Sequence, residues 1–403
     1  MIFITIFQLM ILLYLGLASL YIFVFALASF FYKEKKGEVT DRKRKFLVLI
    51  PAYKEDVVIV NVAKEALNQD YPSELYDVYV LADQLQKSTI EKIKAFSVNV
   101  LEVSFTISTK AKSINEGLRL AGEGYDAVVI LDADNLMDSN FISRSNELMN
   151  SGIEVIQGHR VAKNMETHFS ILDAISEEIN NSVFRKGHVA LGLSAALIGS
   201  GMVIEYNIFK KIMAKADTFA EDKELEFKLL LNKHSIEYLD SVYIYDEKVS
   251  KPEVFVKQRS RWLAFQLIYA KRFVFDAFVE LFVRGNVDFF DKVMQQLLLP
   301  RIIILGLTLI ISLFSLLFNS GFLLYAWLIQ AALCFLGIFM AVPKQFYNWN
   351  TLKAVFSLPL GFILMFKSLF RYQDAKKNFE PTPHTHSAIN HGNSAVKPKK
   401  SNQ

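Results

Sequence analysis

The residues able to do chemistry come in short clusters. Asp132-Ala133-Asp134-Asn135 directly follows an apolar run, with two carboxylates one residue apart. Crowded carboxylates are costly unless positive charge lies between them. Hard divalent cations take such oxygens and leave positions for phosphate, although a capping turn would use the same residues. Lys110-Ala111-Lys112-Ser113-Ile114-Asn115 opens a helical pattern. Lysines and free backbone N–H groups there suit phosphate, or form a solvated basic turn. Ala220-Glu221-Asp222 opens another helix, where acids also serve the helix dipole. Gln258-Arg259-Ser260-Arg261-Trp262 offers a guanidinium fork for phosphate and an indole face on which a sugar can stack. A basic helix on a membrane surface is the plainer reading, and both can hold. Gly199-Ser200-Gly201 permits close backbone approach or marks a bulge. Pro51-Ala52-Tyr53-Lys54-Glu55-Asp56 and Ala82-Asp83-Gln84 follow strand-like runs.

Other chemistries find no support. His159, His168, His188 and His234 lack zinc spacing, and His384, His386 and His391 lie in a polar tail. The motifs G-x-G-x-x-G, G-x-x-x-x-G-K-[ST] and the nucleophile elbow are absent. Cys334 is the lone cysteine, which excludes a disulfide framework. A net charge of +4 over 403 residues gives no footprint for nucleic acid.

The elements that must position these clusters alternate. Lys45–Ile50, Tyr76–Leu81, Asp126–Leu131 and Glu154–Gln157 read as strands, joined by Leu193–Glu205 and Ile236–Tyr245. Val57–Asn68, Ser88–Phe96, Ala111–Ala121 and Met137–Asn150 carry helical spacing. Such alternation predicts an α/β fold with a mostly parallel sheet. Ligands then bind beyond the carboxyl ends of the strands, where most of the clusters fall.

The chain is 52% hydrophobic and 21% charged, a shift from soluble proteins towards the membrane. Residues 1–32 carry no charge and read as one transmembrane helix. Lys33, Lys35, Lys36, Arg42, Lys43, Arg44 and Lys45 follow. The positive-inside rule therefore puts the N-terminus outside and residues 33–250 in the cytoplasm. Residues 251–290 read as interfacial amphipathic helices, and 297–343 as a transmembrane hairpin turning at Asn319-Ser320-Gly321. Residues 352–372 are apolar enough to span, but Pro359, Lys367 and the basic tail favour an interfacial helix. Residues 388–403 read as a disordered tail.

In their order, these clusters resemble the membrane-bound family 2 glycosyltransferases, the group of cellulose, hyaluronan and poly-N-acetylglucosamine synthases. The likeness covers about residues 45–385 and implies a GT-A domain with transmembrane helices on both sides. Pro51-Ala52-Tyr53 resembles the family's P-A-Y-N-E, with Lys54-Glu55 for Asn-Glu. The resemblance implies that Ala52, Glu55, Asp83, Lys110, Asp132, Gln258 and Arg261 bind the nucleotide sugar. Asp83 would hold the uracil, and Asp134 with Asp132 would hold Mg²⁺ or Mn²⁺. Glu221 and Asp222 match T-E-D with Ala220 for Thr, and Asp222 would be the general base. Gln258-Arg259-Ser260-Arg261-Trp262 fits Q-x-x-R-W in full. Trp262, Gly199, Ser200 and Gly201 would face the acceptor. Residues 373–387 resemble the F-x-V-T-x-K gating loop, through Phe379, Thr382 and His384.

The reading that follows is an inverting enzyme of the cell membrane. A UDP-sugar would be the donor and a growing polysaccharide the acceptor. A membrane lipid as acceptor is the alternative, and a silent scaffold is a second. Polymer export through so few spans would need a homo-oligomer or an export partner.

Overall fold

Apolar runs set the central sheet. Strand β1 (Phe46–Tyr53) is buried from Phe46 to Ile50, and alternate residues serve opposite faces. Leu47 and Leu49 enter one core layer, while Phe46, Val48 and Ile50 enter the other. A strand with helices on both sides has this composition. The computed structural model describes residues 2–216, 220–375, 384–386 and 388–389. In chain order the elements begin with α1 (Ile2–Ala28), β1, α2 (Ile59–Ala66) and β2 (Tyr76–Asp83). Next come α3 (Lys87–Lys94), β3 (Asn99–Val103), α4 (Lys110–Ala121), β4 (Ala127–Ile130), β5 (Leu136–Met137) and α5 (Phe141–Asn150). Then follow β6 (Val155–Ala162), α6 (His168–Asn180), a π-helical stretch (Asn181–Gly187) and α7 (His188–Ala190). The domain closes with β7 (Met202–Glu205), α8 (Tyr206–Met213), α9 (Glu221–Leu231) and β8 (Glu237–Asp246).

The sheet runs β3-β2-β1-β4-β7-β6-β8-β5. Strands β3, β2, β1 and β4 are parallel neighbours, whereas β7 is antiparallel to both β4 and β6. Three readings from sequence change here. Strand β3 was not expected, because its exposed polar residues Asn99 and Glu102 mask the pattern of an edge. Of Leu193–Glu205 only Met202–Glu205 pairs as a strand; Ala195 and Leu197 are buried without joining the sheet. The helix expected from Met137 starts at Phe141, because Leu136 and Met137 pair with Tyr245 and Ile244.

The remaining helices form the second layer: α10 (Pro252–Arg284), α11 (Val287–Gln295), α12 (Arg301–Phe318), α13 (Gly321–Ala341), α14 (Trp349–Val355) and α15 (Leu358–Ala375). Among the described residues, Thr5–Phe31, Arg301–Phe318 and Gly321–Ala341 are long and apolar enough to cross a membrane. The segment read as one helix over 352–372 is two, α14 and α15, bent by 49°. Pro359 sits in the first turn of α15, where its missing N–H costs nothing. Helix α15 packs on α10 and α12, and α1 packs on α13 and the π-helical stretch.

Candidate active site

Strands β1, β2 and β4 run parallel, so their carboxyl ends deliver Tyr53, Asp83 and the 131–135 turn to one edge. The chain leaves β1 through Lys54, whose φ of 57° lies in the left-handed region and whose N–H donates to the Asp83 carbonyl at 3.1 Å. A cleft of about 510 Å³ opens there, lined by Ala52, Glu55, Asp83, Lys110, Asp132 and Asp134 on one side. Gly199, Glu221, Asp222, Gln258, Arg261 and Trp262 line the other. Residues far apart in sequence therefore meet in one space.

Lys110 is the hub. Its Nζ donates to Asp132 Oδ1 at 2.5 Å and to the Gly199 carbonyl at 2.7 Å, and lies 3.2 Å from Glu221 Oε1. Burial opposes its charge, but Asp132 and then Glu221 outweigh burial, so its pKa rises. Glu221 goes up to about 7, because burial and the neighbouring Asp222 outweigh Lys110. A β-carbon built on Gly199 would lie 3.5 Å from both Asp222 Oδ2 and Lys110 Nζ, which places both groups over this glycine. Gly199 has a φ of +81°. Ser200 is fully buried, and its Oγ accepts the Asp132 N–H at 2.9 Å. Gly201, at φ +64°, leaves no room for a side chain beside Ile244. Burial lowers the Arg261 pKa, against the pull of Glu221 and Asp222.

Asp83 is buried, and neither carboxylate oxygen has a hydrogen-bond partner. Burial raises its pKa. Such an orphaned acceptor suits the N–H edge of a base. Gln258 Oε1 is also buried without a partner. Asp134 is pushed up by burial, with His384 opposing and Asp246 and Asp132 adding to the rise. His384 Nδ1 lies 2.9 Å from Glu55 Oε1. Burial opposes its protonation, yet Asp134 and Glu55 hold it up to about 10. His384 thus lines the cleft, with Thr385 and His386 bound to Glu247 beside it. Phe379 and Thr382 lie outside the described residues.

Among the described residues no three His, Cys, Asp or Glu side chains converge as a complete metal cage. Asp132 and Asp134 could hold a hard cation only if water and diphosphate oxygens supplied its other ligands. Lys110 already engages Asp132, so Asp134 would supply more of the protein oxygen to such a cation.

Several residues at the site were not anticipated. Gln157 is fully buried; its Nε2 donates to the Ser200 carbonyl at 3.0 Å and its Oε1 accepts the Ile198 N–H at 3.1 Å. It therefore fixes the 198–201 loop. Asp246 ends β8 at the cleft, and Glu247 and Lys248 follow it there. Asp246 shares the strand-end position that singled out Asp83 and Asp132, and that signal could have found it.

Beyond Trp262 lies a second cavity of about 1220 Å³. Its walls are mainly apolar, including Phe255, Leu299, Phe335, Phe339, Leu352 and Met365. The two spaces share Asp173, Asn180, Leu197, Ile198, Lys223, Trp262, Gln266 and Gln296. Trp262 is 40% exposed, and the Arg259 guanidinium stacks 4.1 Å from its ring centre.

Three comparisons bear on this site. The family described as "Glycosyltransferase like family 2" matches residues 43–264. The "Beta-monoglucosyldiacylglycerol synthase" of Trichormus variabilis is 25% identical over 247 residues, covering 59% of this chain and 52% of the relative. The "Probable glycosyltransferase YdaM" of Bacillus subtilis is 23% identical over 264 residues, covering 59% of this chain and 62% of that one. The chain thus spans about half the length of the curated relatives it matches. Among solved structures, a mannosyltransferase from Pyrobaculum calidifontis, in complex with GDP-Man and Mn²⁺, aligns at a TM-score of 0.50 with 13% identity. That match covers 88% of this chain and 98% of the other, and it shows a shared fold. With the family matched over more than half its length, the chain belongs to the family 2 glycosyltransferases and carries their GT-A fold.

Proposed function

We propose that this enzyme moves a sugar from a nucleoside diphosphate sugar to a membrane lipid. The apolar cavity adjoining the cleft at Trp262 carries this reading. A lipid acceptor needs an apolar seat that opens beside the reacting centre, and most of the exposed wall of this cavity is apolar. The relative named for diacylglycerol glucosylation agrees with it. A processive polysaccharide synthase, the first expectation from sequence, retains the complete Q-x-x-R-W and the cleft-lining His384 in its favour.

In this reading Asp83 receives the base of the donor, and Lys110 and Arg261 face its diphosphate. A divalent cation on Asp134 and Asp132 would offset the charge of the departing nucleotide. Lys110 and Arg261 add positive charge where the leaving group gains negative charge. Asp222 takes the proton of an acceptor hydroxyl. Trp262 sets the acceptor at the boundary between cleft and cavity. We place the N-terminus outside and the catalytic domain in the cytoplasm, because lysines cluster directly after α1.

The test uses full-length protein in lipid with UDP-glucose, UDP-N-acetylglucosamine, UDP-galactose, UDP-glucuronate and GDP-mannose. A short labelled product that partitions into organic solvent supports the lipid acceptor. A long, glycosidase-sensitive polymer overturns it.

A further inference from the structure

The polar wall between cavity and cleft carries an imbalance of charge. Arg185, Lys223, Arg259 and Arg301 line the cavity, and Asp173 is the acidic residue lining it. Arg185 pairs with Glu177 at 3.1 Å, Lys223 with Glu226 at 2.9 Å, and Arg259 with Asp173 at 2.5 Å. Arg301 is the exception. It donates to Asn180 Oδ1 at 2.5 Å and to the Ser176 carbonyl at 2.8 Å, both neutral acceptors. Among the described residues no carboxylate forms an ion pair with it. Arg259 adds a buried Nε–H with no acceptor. Neither arginine is one of the positions that define Q-x-x-R-W.

Arg301 is half-buried, its direct partners are all neutral, and Glu177 attracts it only beyond ion-pair distance. A guanidinium withdrawn from water without a contacting anion is costly, and the unsatisfied buried donor of Arg259 adds to that cost. Both arginines touch the boundary, Arg301 through Asn180 and Arg259 through Asp173 and Trp262. Apolar walls lie on one side of them and the catalytic cleft on the other. We propose that the acceptor is a glycerophospholipid. Its phosphodiester would sit against Arg259 and Arg301, its acyl chains in the cavity, and its hydroxylated headgroup would pass Trp262 towards Asp222. One phosphodiester carries a single negative charge, which matches the one unpaired arginine and supplies oxygens for the Nε–H of Arg259. This rests on the lipid-acceptor reading and narrows it to a chemical class.

Asp222 favours a headgroup hydroxyl over a lipid whose own phosphate attacks, since a phosphate oxygen needs no base. The headgroup oxygen would form the bond to the anomeric carbon. The bond from that carbon to the diphosphate oxygen would break, and the nucleotide would leave with the electron pair. The hydroxyl proton would pass to Asp222.

The test is made in phospholipid-free, non-ionic detergent micelles containing the full chain, the donor panel and one lipid at a time. The lipids are phosphatidylglycerol, dioleoylglycerol and undecaprenyl phosphate. Phosphatidylglycerol should be glycosylated at least about tenfold faster than dioleoylglycerol. Arg301→Gln should raise the KM for phosphatidylglycerol about tenfold or more, with no change in donor KM, and Arg301→Lys should restore part of the loss. Equal use of dioleoylglycerol, or an Arg301→Gln loss that is the same for both lipids, overturns the proposal. So does an acid-labile sugar phosphate on undecaprenol, although that product leaves the lipid-acceptor reading standing. A polymer with no glycolipid removes that broader reading as well. Donor-nucleotide binding by Arg301→Gln shows whether the variant is folded.

Discussion

Lys54 occupies a position that its residue type does not favour. Its φ of 57° is accessible to Asn at lower cost than to Lys. The family's P-A-Y-N-E places Asn there. Lys54→Asn should stabilise the protein by about 0.5–1 kcal/mol, read as a higher midpoint of thermal unfolding. No change would mean that the lysine side chain contributes as much as the strain costs. Asp222 belongs to the same scale. Asp222→Asn should lower turnover about 10²-fold or more with unchanged donor KM. Unaltered turnover would remove it from the base role. At this scale the carboxylates and Lys110 were legible because they follow strands or open helices. Gln157 was not, since it sits inside an apolar strand and acts on a loop some forty positions away. Arg301 was equally hidden: in sequence it is the polar end of an apolar helix, and its lack of a carboxylate is a property of tertiary structure.

Among the elements, strands with continuous apolar runs were legible and edges were not. The stretch 193–201 has strand composition, yet it is held in place by Gln157, by Arg185 to the Ala196 carbonyl and by Glu226 to the Leu197 N–H. Burial without ladder pairing looks identical in sequence. Composition did reveal the apolar helices, but not how closely they approach the domain. A β-carbon on Gly187 would lie 2.1 Å from the Phe25 carbonyl oxygen of α1. The ring of Phe25 stacks on His188 at 3.8 Å. Gly187→Val should therefore push α1 off the π-helical stretch and destabilise the protein by about 3 kcal/mol or more. Loss of protease resistance in the region after α1 would report it. A variant as resistant as the parent would show that the contact can relax.

For the whole molecule, buried charge sets the response to pH. His159 lies 3.2 Å from Glu178 and 2.9 Å from Asp240. Burial opposes its protonation, but both carboxylates hold its pKa up to about 9. A histidine raised in the folded state stabilises fully below its unfolded pKa of about 6.5 and loses that contribution as pH climbs through about 9. The size is on the order of 3 kcal/mol. The thermal midpoint should fall between pH 7 and 10, and His159→Gln should flatten that fall while lowering stability at pH 7. An equally steep fall in the variant would assign the alkaline loss to other groups.

The contacts of α1 also bear on the order in which the chain is made. Tyr14 donates to the Leu297 carbonyl, and its hydroxyl accepts the Leu299 N–H. Gln330 Nε2 reaches Ser19 Oγ at 2.8 Å and Thr308 Oγ1 at 2.9 Å. These partners emerge from the ribosome roughly three hundred residues after α1 does, at ~5–20 residues per second. For the tens of seconds between, the polar groups of α1 are without their final neighbours. Helix α1 is thus made long before it can find its place, and the catalytic domain must fold while tethered to a segment that has not yet docked.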